Sequence, residues 1–190
     1  MNRCPWPGDD ALMIEYHDKE WGVPFHDDRK WFEFIVLDAF QAGLSWKTVL
    51  HKRENFRKAF DNFNPNAIAS YNESKIQELL QYKGIIRNRL KIRSTISNAM
   101  AFIKVQEEFG SFDKYIWSFT EGKTIDTGCE TMNDLPVTTT LSDVISKDLA
   151  RRGFKFVGST IVYSFLQAAG VVNDHLVSCF RYEELGGKGR

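Results

Sequence analysis

One acidic residue, Asp38, sits inside one of the most apolar stretches of this chain, Trp31-Phe32-Glu33-Phe34-Ile35-Val36-Leu37-Asp38-Ala39-Phe40-Gln41-Ala42. A helix this rich in large apolar groups is expected to be largely buried. A buried carboxylate is costly unless something pairs with it or hydrogen-bonds to it. Asp38 therefore either grips a polar or cationic ligand, or lies on a narrow wet face, or caps a neighbouring amide. Helix pattern alone leaves these readings open.

His175 and Cys179 are four residues apart. On a helix both would share one face, close enough to hold one tetrahedral ion. Cys4 and His17 lie at the other end of the chain. The four together would make a Cys2His2 set, soft enough for zinc, that pins the two chain ends together. Such a site needs thiolates and neutral imidazoles and weakens in acid. The alternative is a free terminal thiol, a surface histidine and a core cysteine, since the chain has no Cys-x-x-Cys knuckle. Cys129 has no histidine nearby and is left outside the set.

A third constellation is Leu80-Gln81-Tyr82-Lys83-Gly84-Ile85-Ile86-Arg87-Asn88-Arg89. A helix ends, Gly84 permits a tight turn, and a basic helix begins. Backbone amides at such a turn can hold a phosphate, and flanking cations add attraction. This is the logic of a helix-hairpin-helix clamp that grips nucleic-acid backbone without reading sequence. A basic solvated turn between helices would look the same. Finally, Trp6, Tyr16, Trp21 and Trp46 either belong to the core or line a slot that stacks a flat, electron-poor ligand.

The elements that must position these residues read as helices. Asp9-Asp10 can cap a helix to about Asp18, and Asp27-Asp28 can cap the apolar helix around Asp38. Ser45 opens a helix from Trp46 to about Phe60. Pro65 follows Asn64 at a first helical position, and Asn72 caps Glu73 to Leu80. A long helix is expected from Arg87 to Glu108, and a short aromatic one from Lys114 to Phe119 opened by Ser111 or Asp113. The segment 121–139 reads as loop. Ser142 caps a helix ending near Gly153, Ser159-Thr160 opens another ending near Gly170, and a short helix spans about Asp174 to Phe180. With no convincing strand, the chain is expected to be all-α. It reads as a single domain over 1–184, with room for two lobes, one of them the hairpin lobe around 73–108, and a disordered tail over 185–190.

Hydrophobic content of 43% and aromatic content of 14% across 190 residues suit a packed globular protein. No apolar run is long enough to span a membrane. The start shows no apolar signal core, and three cysteines make an odd number, so an intracellular, reduced, cytoplasmic protein is expected. Formal net charge is zero, which neither favours nor excludes a nucleic-acid partner, because local charge decides docking. From Tyr82 to Arg93 the charged residues are Lys83, Arg87, Arg89, Lys91 and Arg93, all basic.

These pieces together resemble the 3-methyladenine DNA glycosylase I family. The resemblance covers nearly the whole chain. It rests on Tyr16-His17-Asp18-x-Glu20-Trp21-Gly22-Val23-Pro24, Gln41-Ala42-Gly43-Leu44-Ser45-Trp46 and Lys52-Arg53-Glu54-Asn55. It continues through Gly84-Ile85-Ile86-Arg87, Arg152-Gly153-Phe154-Lys155-Phe156-Val157-Gly158 and Val172-Asn173-Asp174-His175. It implies a helix-hairpin-helix fold with a structural zinc on Cys4, His17, His175 and Cys179. It also implies hydrolysis of the N-glycosidic bond of an alkylated adenine flipped out of duplex DNA, by a protein expected to act as a monomer. Leu44, after Gly43, would be the wedge that fills the gap left by the base. Tyr16 and Trp46 would be pocket aromatics, Ser164 a polar residue near the site, and Gly84, Ile85, Ile86 and Arg87 the DNA-gripping hairpin. Asp38 would bind the base or orient water, and Trp6, Met13, Trp21 and Phe40 would complete the base pocket.

The chain departs from the family pattern at three of these positions. The family has Glu where this chain has Asp38, usually a polar residue where it has Phe40, and often Tyr where it has Met13. Asp38 reaches about 1.5 Å less far than Glu, enough to break a direct hydrogen bond. An enzyme with a different lesion preference, or a hairpin DNA-binding protein without catalysis, are the rival expectations.

Overall fold

The computed structural model describes residues 2–188. Eleven α-helices are found among them. They are α1 (Ala11–Lys19), α2 (Asp28–Gln41), α3 (Trp46–Leu50), α4 (Arg53–Ala59), α5 (Pro65–Ala69), α6 (Glu73–Gln81), α7 (Arg89–Phe109), α8 (Phe112–Ser118), α9 (Thr140–Arg151), α10 (Ser159–Ala168) and α11 (Phe180–Glu184). Short 3-10 turns cover Asp61–Phe63 and Met132–Asp134.

The expected caps, joined by Asn88, which starts α7 at Arg89 instead of Arg87, explain most helix starts. The side chains of Asp10, Asp27, Ser45, Asn64, Asn72, Asn88 and Ser111 each accept a first-turn amide of the helix that follows, which satisfies donors that no helical carbonyl can reach. Asp28 reaches across the fold instead. Its carboxylate accepts the amides of Phe112 and Asp113, so it caps α8 and ties that helix to the start of α2.

Four expectations are corrected. The helix over 46–60 is two helices, and the break at His51-Lys52 brings Arg53, the first residue of α4, against Glu20 and Glu33. Thr139, not Ser142, caps α9, with Ser142 Oγ returning a bond from the Thr139 amide in a capping box. The helix expected over 174–180 is absent, because the Asp174 carboxylate is taken by Thr127, Tyr163 and Gln167; helix begins only at Phe180. A two-residue parallel bridge, β1 (Ile125–Asp126) to β2 (Val172–Asn173), interrupts the all-helical pattern; it is too short to leave an alternation in sequence. The tail is ordered as far as Lys188, whose amide donates to Asp126. Its last two residues lie outside the described residues.

Helix α2 runs through the middle of the fold. All of Trp31–Phe40 is buried, covered by α3, α7, α8 and α10. Phe32 packs on Phe102, and Phe40 on Phe56 and Phe60. Burial of such aromatic groups, at roughly 1.5–3 kcal/mol each, is the main term holding the helices together. Among the described residues no helix is long and apolar enough to cross a membrane.

Candidate base pocket and metal site

A cavity of about 220 Å³ opens beside the C-terminal half of α2. Its walls include Trp6, Tyr16, Trp21, Asp38, Trp46 and Ser164, all six anticipated from sequence. The two other expected wall residues do not line it. Asp38 and Phe40 are two positions apart, about 200° around a helix, so Phe40 points away, fully buried against Phe56 and Phe60. Met13 is buried in the aromatic core instead.

The cavity has walls that sequence reasoning missed: Gln41, Met132, Leu135, Gln167 and Ala168. Gln41 and Gln167 carried a usable signal, since each stands three positions after an expected site residue, Asp38 and Ser164, on the same helix face. Gln167 is oriented by Asp174, to which its Nε2 donates at 2.6 Å. Met132 and Leu135 come from the 121–139 segment, and only the tertiary fold brings them over the opening.

Asp38 is 2% exposed and its Oδ2 has no hydrogen-bond partner among the described residues. The indole Nε1 groups of Trp6 and Trp46 are likewise buried and unpartnered. Buried polar atoms nearly always find partners, because leaving one unmade costs about 1–3 kcal/mol. Three orphans on the walls of one cavity mark it as built for a polar occupant. Burial raises the Asp38 carboxyl well above the usual carboxylate range, with the Arg53 guanidinium pulling the other way. Tyr16 is also raised, first by burial and then by Asp38.

The rings make a corner. Tyr16 and Trp46 centroids are 5.2 Å apart at 45°, closer than the roughly 7 Å that two van der Waals gaps around a flat ligand require. A planar ligand therefore lies against them, not between them. Phe34 stacks behind Trp46 at 15°, and Trp6 meets Trp21 edge-on at 5.1 Å.

Cys4, His17, His175 and Cys179 converge, all buried, with their ligand atoms within 4.8 Å of one another. His175 and Cys179 meet through a turn and not on a helix. Sulfur-to-nitrogen distances are 3.6 Å from Cys179 to His17 and to His175, and 3.8 Å from Cys4 to His175. A tetrahedral ion with ordinary zinc–sulfur and zinc–nitrogen bonds needs about 3.6 Å.

Each histidine is set for this by its other nitrogen. His17 Nδ1 donates to Asp18 at 2.7 Å, and Asp18, held by Arg3 and pulled down to about 2, can only accept. His175 Nε2 donates to the Trp21 carbonyl at 3.1 Å. The nitrogens facing the sulfurs are therefore bare. Burial also draws His175 down to about 4 and pushes the Cys4 thiol up to about 12. The imidazole is then neutral at pH 7, and a bound cation would be needed to draw off the thiol proton. The four residues could hold a metal ion. They share a wall with the cavity: Trp21 packs on His175 at 4.6 Å and Trp6 on His17 at 5.3 Å.

At the C-terminal end of α2, Gly43 takes φ +79, and Leu44 is 43% exposed beside the cavity-lining end of that helix. The hairpin between α6 and α7 spans 82–88. A Cβ on Gly84 would meet the outer end of the Tyr82 ring at 2.6 Å, so glycine lets that exposed ring lie over the turn. Ile85 is buried and Ile86 partly so; they anchor the turn, and Arg87 is exposed. The basic run is not one exposed patch. Arg89 and Arg93 pair with Glu73, and Lys91 is buried. Among the described residues no ion pair engages Lys83 or Arg87, so the free charge of this turn belongs to them.

A family model described as methyladenine glycosylase matches residues 6–182. The chain is 48% identical over 182 residues to DNA-3-methyladenine glycosylase 1 of Escherichia coli, covering 96% of this chain and 97% of that one. It is 44% identical to DNA-3-methyladenine glycosylase of Haemophilus influenzae, covering 93% and 96%. Among solved structures, 3-methyladenine DNA glycosylase I from Staphylococcus aureus, described in terms of 3-methyladenine recognition, superposes with a TM-score of 0.93 at 34% identity, covering 100% of this chain and 99% of that one. With a matching architecture and sequence along almost its whole length, this chain belongs to the methyladenine glycosylase family.

Proposed function

We propose that this chain is a DNA repair glycosylase that takes an alkylated purine of the 3-methyladenine class out of duplex DNA into the cavity and hydrolyses its N-glycosidic bond. The observation that carries the reading is the set of orphaned polar atoms, Asp38 Oδ2 and the Trp6 and Trp46 indole N–H groups, around one aromatic-walled space. A flat base with an exocyclic amine and bare ring nitrogens complements two donors and one carboxyl.

Methylation at N3 makes the base cationic and a good leaving group, so little acid catalysis is needed. A cation entering the cavity favours the ionised form of Asp38, and the pair is then worth more than in water because the site is dry. Asp38 accepts from the exocyclic amine, directly or through one water that makes up for its short reach. Tyr16 and Trp46 offer their faces to the cation. Flipping costs a few kcal/mol, less for a damaged base. Leu44 fills the vacated stack, and the 84–87 turn with Arg87 holds the phosphates. DNA phosphates and Asp38 stabilise the positive charge that develops on the sugar.

The Cys4, His17, His175 and Cys179 set suits zinc, held with all four positions filled by protein. Its role is structural: it holds Trp6, two residues from Cys4, and Tyr16, next to His17, at the cavity wall. Action as a monomer is part of this reading. Of the three departures from the family pattern, Phe40 and Met13 lie off the cavity and Asp38 lines it, so among the three a change of lesion preference rests on Asp38.

The test is to incubate the protein with alkylated duplex DNA and to identify released bases by chromatography. Release of free 3-methyladenine is expected. Duplex binding with no released base would favour a non-catalytic hairpin protein, and release of a different base would reassign the lesion.

A further inference from the structure

We infer that Lys91 is a positioning residue for base extrusion: it ties the hairpin helix to the end of α2 that carries Asp38, Gln41 and Leu44. The inference rests on the glycosylase reading above. Lys91 lies in the first turn of α7, directly after the hairpin, yet its side chain turns inward and is 7% exposed. Its Nζ donates to the Phe40 carbonyl at 2.8 Å and to the Ala42 carbonyl at 2.6 Å.

Those carbonyls belong to the last turn of α2. A helix leaves its final carbonyls unpaired, and here the chain turns away at Gly43, with only the Leu44 amide folding back to Gln41. The ammonium supplies the missing donors and sits at the negative end of the helix dipole. It thereby fixes the turn that presents Leu44 and the face that presents Asp38 and Gln41.

The same face of α7 holds the other wall. Asn98, two turns on, makes paired bonds with the backbone of Lys155, at 3.1 and 2.7 Å, just ahead of α10 with Ser164 and Gln167. Helix α7 thus brackets both cavity helices, and a pull on the hairpin by DNA phosphates is passed to them. Desolvation lowers the Lys91 pKa and no carboxylate contributes to its shift; the buried ammonium is met by the two α2 carbonyls, which an apolar side chain of similar length would leave without that donor.

The test uses the full chain with Lys91→Met and Lys91→Arg. It reads single-turnover release of 3-methyladenine from a one-lesion duplex, duplex affinity, and amide hydrogen exchange of residues 42–46. Lys91→Met is expected to slow release by roughly tenfold to hundredfold, as for a misplaced reacting group, with duplex affinity nearly unchanged. Exchange at 42–46 should rise while the body of α7 stays protected, and Lys91→Arg should recover most of the rate. A Lys91→Met protein with wild-type release, or with unchanged exchange at 42–46, overturns the inference. If Lys91→Met does not fold, Lys91→Gln takes its place, and a rate equal to that of wild type is the overturning result. Failure of the wild type to release any base would instead refute the glycosylase reading, while the exchange measurement still judges the link between Lys91 and the turn.

Discussion

Asp38 and Arg53 are buried in the same core, close enough for the guanidinium to bear on the carboxyl electrostatically, yet they share no hydrogen bond. Arg53 gives Nε to Glu33 and both terminal nitrogens to Glu20. Its charge is spent on those carboxylates, and Asp38 is left for an occupant of the cavity.

Asp38→Asn should slow base release by roughly tenfold to hundredfold, the worth of one charge-assisted hydrogen bond. A single-turnover assay measures this, and an unchanged rate would remove Asp38 from the chemistry.

The same variant has a pH signature. A carboxyl whose folded pKa is raised keeps its proton in the native state while the unfolded chain has released it. Stability is therefore lost as pH rises above the unfolded value and on up through the folded one. Asn carries no such cost. Melting temperatures across pH 4.5–8 (about the range set by the unfolded carboxylate and neutrality) should show Asp38→Asn gaining on the wild type as pH rises. A gap that closes instead would mean Asp38 is ionised and paired in the free protein.

Phe40→Ala should cost about 3–5 kcal/mol of stability and leave the preferred base unchanged in protein that remains folded. Denaturant unfolding and the product profile test the two halves separately. A changed base preference at intact stability would put Phe40 back in the pocket.

Much of this was legible in the sequence because local chemistry decided it. Six caps stood where short polar side chains preceded apolar periodicity, and Asp38 was conspicuous within its apolar run. The four metal-site residues were found by residue type, although the helix assumed for His175 and Cys179 does not form. What sequence hid was direction and long-range company. Phe40 is near Asp38 in number but on the opposite side of α2. Lys91 read as part of a basic surface run and is a buried cap. Met132 and Leu135 reach the cavity only through a loop whose course is set by the Ile125–Val172 bridge and by Asp174.

Asp18→Asn leaves all four candidate metal ligands in place and weakens the bond that orients His17, together with the Arg3 ion pair that holds Asp18. It should reduce zinc affinity by roughly tenfold to hundredfold, measured by competition with a chelator, and metal analysis of the wild type should find one zinc per chain. Equal affinities would show that His17 is held by packing alone.

Arg87→Ala should weaken duplex binding at every sequence and flatten its log–log salt dependence by about one. Binding of free base, followed by tryptophan fluorescence, should not change. A salt slope that stays the same would place the phosphate contacts elsewhere.

The most direct measurement is a crystal structure of this chain with 3-methyladenine bound. The base should lie flat against Tyr16 and Trp46, with its amine at Asp38 or one water away and a ring nitrogen facing the Trp6 indole. A base found outside the cavity, or inside it with Asp38 still unpartnered, would contradict the assignment.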